Sequence, residues 1–189
     1  MRLPLVDPAD LTEAQKPLYA DMKAGIAAKF TGFKTVDKEE RLLGPWNPWL
    51  HEPKTGSAIW ALTKALTENS CLPDNIRQIA ILVVGVDFDA AYEIYAHIAV
   101  AERDGFSPAR LQTMLAGDKP DDLTPEEEIA HDVTFALIGG GALPDDMYAA
   151  AVGAFGPQGT HELITLVGLY CMVSVTLNGF DVPVPDEDA

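Results

Sequence analysis

Cysteine is nearly absent from this chain: Cys71 and Cys171 are the only two in 189 residues. One disulfide is arithmetically possible, but nothing resembles a cysteine framework or zinc-ligand spacing. Two reduced thiols in a cytoplasm are therefore expected. Cations are also scarce, with 13 Lys and Arg against 29 Asp and Glu and a formal net charge of −16. That balance argues against nucleic acid as a partner, because phosphate binding needs clustered cations. It argues equally against an anionic membrane surface. An anionic substrate would need a local cation to offset the global field. The opening MRLPLVDPADLTEAQ lacks the long apolar core and small-residue cleavage site of a signal peptide.

Catalytic signatures of several large classes are missing too. There is no His-x-x-x-His, no glycine-rich phosphate loop and no Gly-x-Ser-x-Gly elbow. Gly139-Gly140-Gly141 reads as a helix terminator, since no strand precedes it. His51, His131 and His161 have no metal-ligand spacing and read as surface or capping residues. The longest uncharged run, Leu163 to Phe180, has 18 residues, the lower edge of spanning length. It contains Asn178, Ser174 and two glycines and has no basic flanks, so a buried helix or a subunit contact is the better reading.

Helix punctuation is frequent. Thr12 to Gln15 has capping-box spacing, with an amphipathic stretch to about Phe30. Residues 31–38 read as a loop. Gly44-Pro45-Trp46-Asn47-Pro48 cannot be helical throughout. Pro53 opens a helix to about Asn69, and Pro73 starts another. Ile81 to Val86 is β-branched enough for a strand, but no clear second strand exists to pair with it. Ala90 to Asp104 is a helix stopped by Gly105. A short helix begins at Ser107-Pro108, and Thr124-Pro125-Glu126-Glu127 is a strong start. Two more helices span about Pro144 to Phe155 and Gly159 to Asn178. The tail from Val182 to Asp188 reads as extended and acidic, loosely packed or frayed. About eight helices with short connections give an all-α fold.

Chemistry concentrates in Ala90 to Ala101, where only Glu93 and His97 carry ordinary charges. Four residues apart, they share one helix face. Their stripe continues through apolar Val86, Ala90 and Val100, so the pair is expected to be buried. A buried carboxylate accepting from one imidazole nitrogen fixes the tautomer and raises the basicity of the other. Two readings stand: a proton relay, or a pair that only satisfies itself across a turn.

Tyr92-Glu93 with His97 resembles the Tyr-Glu-x-x-x-His helix of carboxymuconolactone decarboxylase-like proteins. The run Ile76 to Leu82 resembles the helix that leads into it. Gly44-Pro45-Trp46-Asn47 with Pro53 resembles the Gly-Pro-Phe-Asn loop of the longer members, and Leu169-Tyr170 and Asn178 also fit. The resemblance covers about residues 42–184 and leaves residues 1–41 as a helical extension of one domain. It implies an alkylhydroperoxidase D-like all-α fold assembled as trimers or hexamers, with a pocket near the Glu–His helix. Peroxidase members carry Cys-x-x-Cys on this helix; here Ala90 and Glu93 hold those positions, so thiol chemistry is disfavoured. A second departure is Gln78, where many members have Glu; an amide orients but takes no proton.

The expectation is a small-molecule enzyme with Glu93 and His97 as catalytic residues and Tyr92, Trp46, Asn47 and Gln78 around the substrate. The resemblance makes decarboxylation of a lactone acid, or a related lyase or isomerase step, the first reading, with no metal or organic cofactor. A thiol peroxidase and a non-catalytic oligomeric ligand-binding protein are the alternatives. Trp46, Trp49 and Trp60 serve either a pocket or the core. Asn47 either caps a turn or meets substrate. Arg77 meets a substrate carboxylate or forms a helix-surface salt bridge.

Overall fold

The computed structural model describes residues 1–186. Eight α-helices and one 3-10 turn make up the described residues, with one isolated bridge, Val36 to Leu42, and no strand ladder. The helices are α1 (Lys16–Lys29), α2 (Trp46–His51), α3 (Pro53–Glu68), α4 (Asp74–Asp87), α5 (Ala91–Arg103), α6 (Pro108–Leu115), α7 (Pro125–Ile138) and α8 (Asp145–Gly179). The β-branched Ile81–Val86 stretch is helical, because α4 is enclosed by α5, α7 and α8 and tertiary packing overrides local preference. The acidic tail is non-helical to residue 186, and its remainder lies outside the described residues.

Local signals explain most boundaries. At α7 the Thr124 hydroxyl accepts from the Glu127 N–H, and the Glu127 carboxylate accepts from the Thr124 N–H. Asn75 and Arg110 also donate to that carboxylate, tying the cap to α4 and α6. At α1 only half of the expected box forms: Gln15 Oε1 accepts from the Thr12 N–H, while the Thr12 hydroxyl donates to the same oxygen. α2 is a correction. Gly44 (φ 58°) and Pro45 lie outside the helix, but Pro48 sits in its first turn, where a missing N–H costs nothing.

α8 combines the two helices expected at the C-terminal end. Gly156 (φ 66°) interrupts it, and Pro157 begins its second half. By length and composition α8 passes for a membrane span. Its second half instead places Leu163, Leu166, Leu169, Val173 and Leu177 in the core. Burying each such side chain contributes about 1.5–3 kcal/mol.

Two apolar clusters meet along α8. One gathers α4, α6 and α7 around the early part of that second half. The other gathers α1, α2, α3 and α5 around its end, with Met22, Ile26, Leu50 and Trp60 almost wholly enclosed. Residues 1–41 thus contribute core side chains as well as covering it. α5, which carries Glu93 and His97, lies between the loop at residues 30–43 and α8.

Candidate functional site

α4 and α5 pack side by side, and this contact builds the centre of the site. Gln78 on α4 and His97 on α5 are both buried, and Gln78 Oε1 stands 2.7 Å from His97 Nδ1. An amide oxygen only accepts, so Nδ1 carries a proton. On the other side of the ring, Glu93 Oε1 lies 3.1 Å from Nε2, but without hydrogen-bond alignment. The carboxylate is 4 % exposed, and Gly85 leaves room for it: a Cβ there would lie 3.4 Å from Glu93 Cγ.

This geometry revises the division of labour expected from the sequence. Gln78 sets the tautomer, and Glu93 supplies charge beside Nε2. A one-turn offset brings two side chains of one helix together side-on, whereas a side chain from the facing helix can meet the ring along its N–H. With Nδ1 already protonated, a lone pair on Nε2 would face a carboxylate lone pair.

His97 sits at the junction of two cavities. The inner one, of about 30 Å³, is apolar and aromatic, lined by Phe33, Trp46, Trp49, Tyr92, Glu93 and Val173 among others. It has room for about one or two water molecules. The outer cleft, about 260 Å³, is polar and includes Lys29, Arg77, Gln78, Arg103 and Thr67. Phe30, Phe33, His97 and Tyr170 border both. The Tyr170 ring meets the His97 ring edge-on, with centroids 5.3 Å apart at 87°.

The other expected substrate residues divide. Trp46 lines the inner cavity, packed edge-on against Phe30 at 5.5 Å and stacked with Phe33 at 6.4 Å. Tyr92 also lines it with its ring, but its hydroxyl donates to the Lys34 carbonyl at 2.8 Å, while the Tyr95 hydroxyl accepts from the Lys34 N–H. These two bonds hold the loop that carries Phe33 over the site. Gly44 is required beneath it: a Cβ would lie 2.3 Å from the Tyr92 ring.

Asn47 does not border either cavity. It is fully buried and holds the N-terminal segment, accepting from the Val6 N–H and donating to the Pro4 carbonyl. Trp49 lines the inner cavity; Trp60 is core.

Arg77 is neither a surface salt bridge nor a free cation. It is 8 % exposed and reaches Glu162 on α8 at 2.7 Å, with further bonds to the Leu66 carbonyl and Ser70. Burial pushes the Glu162 carboxyl up, but donors from Ser70 and Cys71 and the charge of Arg77 outweigh it and hold the group below its usual range. Cys71 Sγ lies 3.1 Å from the same carboxylate, which, with burial, pushes the thiol up. Burial does the same for Cys171. Neither environment favours a thiolate. Among the described residues no cluster of three His, Cys, Asp or Glu is placed to hold a metal ion.

Sequence reasoning missed Phe30, Phe33, Lys29 and Arg103, because they lie on the extension and at a helix end, away from any short motif. It named Tyr170 without a role.

No protein-family model matches the chain, and no curated protein sequence matches it. Solved structures do. A protein of unknown function from Agrobacterium tumefaciens, for which a role as the antioxidant defence protein AhpD has been suggested, superposes with a TM-score of 0.66 at 18% identity, covering 75% of this chain and 97% of its own. The debrominase Bmp8, solved as a cysteine-to-alanine variant with 2,3,4-tribromopyrrole, superposes with a TM-score of 0.71 at 13% identity, covering 98% of this chain and 92% of its own. The chain's helical arrangement among the described residues, with the likeness to both structures, gives it the AhpD-like helical fold.

Proposed function

We propose that the chain is a small-molecule enzyme that delivers a proton from His97, with decarboxylation of a lactone acid or other carboxylic acid, or a related lyase or isomerase step, as its reaction. One observation carries the reading. His97 borders two cavities, with Nδ1 held by Gln78 and Nε2 beside a buried carboxylate. A ring fixed at one nitrogen, with the other beside a carboxylate, is suited to general acid–base work. That an AhpD-like neighbour is a debrominase makes an enzyme plausible on this fold.

The step balances with the chain's own groups. The bond from the substrate carbon to its carboxylate breaks, its electron pair moves toward an adjacent carbonyl, and carbon dioxide leaves. The resulting enolate takes the Nε2 proton at carbon, and His97 recovers a proton from water through the outer cleft. Glu93 lies 3.1 Å from Nε2, facing the nitrogen that passes the proton. The cleft carries Lys29, Arg77 and Arg103 beside Asp74 and Asp104; Arg77 is paired with Glu162 and Arg103 with Asp104, which leaves Lys29 to meet an acid substrate.

The thiol peroxidase alternative gains no support from Cys71 and Cys171, whose surroundings favour the thiol. We also propose a homo-oligomer, a trimer or a hexamer, supported by Phe135, Tyr148 and Val175 standing more than 45% exposed. Light scattering at micromolar concentration tests this, and a monomer would contradict it. For the reaction, a turnover screen over lactones and carboxylic acids should find a substrate whose consumption requires His97. Consumption that persists in folded His97→Asn protein would remove the proposal.

A further inference from the structure

An enolate formed beside His97 needs a hydrogen-bond donor at its oxygen as well as a proton at its carbon. Two of the residues expected around the substrate, Tyr92 and Asn47, are engaged elsewhere. The Tyr92 hydroxyl is committed to the Lys34 carbonyl, and both ends of the Asn47 amide hold the N-terminal segment. Gln78 Oε1 is taken by His97.

Tyr170 remains. Its ring borders both cavities and lies edge-on to His97. No described residue makes a hydrogen bond with its hydroxyl, unlike the hydroxyls of Tyr19, Tyr92 and Tyr95. We infer that Tyr170 is a further catalytic residue, whose hydroxyl donates to the carbonyl oxygen of a lactone or ketone-like substrate while His97 acts at the neighbouring carbon.

Two features fit that role. Burial, with the charge of Glu93 next, pushes the Tyr170 phenol far above its ordinary range, so it stays an O–H donor at all working pH values. It is therefore a donor to the developing oxyanion, and the proton that moves comes from His97. The donor also stands on α8, a different element from His97, so the two groups can approach different atoms of one substrate.

This inference rests on the proton-transfer reading above, and its test separates the two. Tyr170→Phe keeps the ring against His97 and removes only the O–H. Butenolide labelled at its carbonyl serves as the probe, with the carbonyl stretch of the bound molecule read by isotope-edited infrared difference. The wild type and His97→Asn should both show the stretch lowered, Tyr170→Phe should lose most of that lowering, and Tyr92→Phe should keep it. On whatever substrate the enzyme consumes, Tyr170→Phe should lower kcat by about 10²–10³-fold, the range for one oxyanion donor, with KM little changed. A full carbonyl shift in Tyr170→Phe, or no shift in the wild type, would overturn the inference. Undiminished turnover in His97→Asn would instead overturn the relay.

Discussion

Gln78 Oε1 on α4 meets His97 Nδ1 on α5 at 2.7 Å, and this contact between helices fixes which ring nitrogen faces Glu93. Gln78→Leu should leave the buried Nδ1–H without a partner and lower stability by about 1–3 kcal/mol. It should also reduce kcat, since the ring is then free to rotate or change tautomer. Nitrogen NMR of the labelled imidazole checks the cause: the Nδ1-protonated form should dominate in the wild type and lose its dominance in the variant.

Asn47 separates structure from catalysis. Asn47→Ala removes the partners of the Val6 N–H and the Pro4 carbonyl. Melting should show a loss of about 1–3 kcal/mol, with turnover per folded molecule unchanged. A lower kcat at full stability would return Asn47 to the substrate.

Acid should act through Glu162 and Glu127. Both carboxyls are held below their usual range in the fold, despite burial, by hydrogen bonds and by Arg77 and Arg110 respectively. Their stabilising contribution is therefore complete above the unfolded value, near pH 4.3, and is lost as pH falls through the folded values. Melting followed through this range should fall steeply. Glu162→Gln leaves Arg77 buried and without its carboxylate partner, so it should cost about 3–5 kcal/mol at neutral pH and flatten the acid limb.

How much of this was legible in the sequence follows from the range of the interactions. Helix starts at Pro53, Pro108 and Pro125 are written in local capping chemistry and proline placement, and the structure has them within a residue of their expected positions. The Glu93–His97 pair was legible because helical periodicity alone brings it together. The Gln78 contact, the loop from Phe30 to Phe33 and the place of Tyr170 depend on how α4, α5 and α8 pack, and no short-range pattern encodes that. Asn47 and Tyr92 were expected around the substrate because the residue types and the resembling motifs fit. Their partners, Val6, Pro4 and Lys34, lie 41 or more positions away.

The two cysteines should be chemically quiet. Although exposed, Cys71 has the Glu162 carboxylate beside it, which pushes the thiol up, so it should alkylate slowly at neutral pH and gain rate only above the ordinary thiol range. Cys71→Ser and Cys171→Ala should keep full turnover, with a packing cost for Cys171. A folded variant without activity would restore the peroxidase reading.

The relay itself is tested most directly by turnover and melting measured on the same samples of wild type, His97→Asn and Glu93→Gln. His97→Asn should stay folded and lose about 10²–10⁴-fold in rate, the range of general acid–base catalysis. Glu93→Gln should lose less, because the amide keeps the shape beside Nε2 and removes only the acidic group. Folded His97→Asn protein with full turnover would contradict the account and leave Glu93 and His97 as core residues.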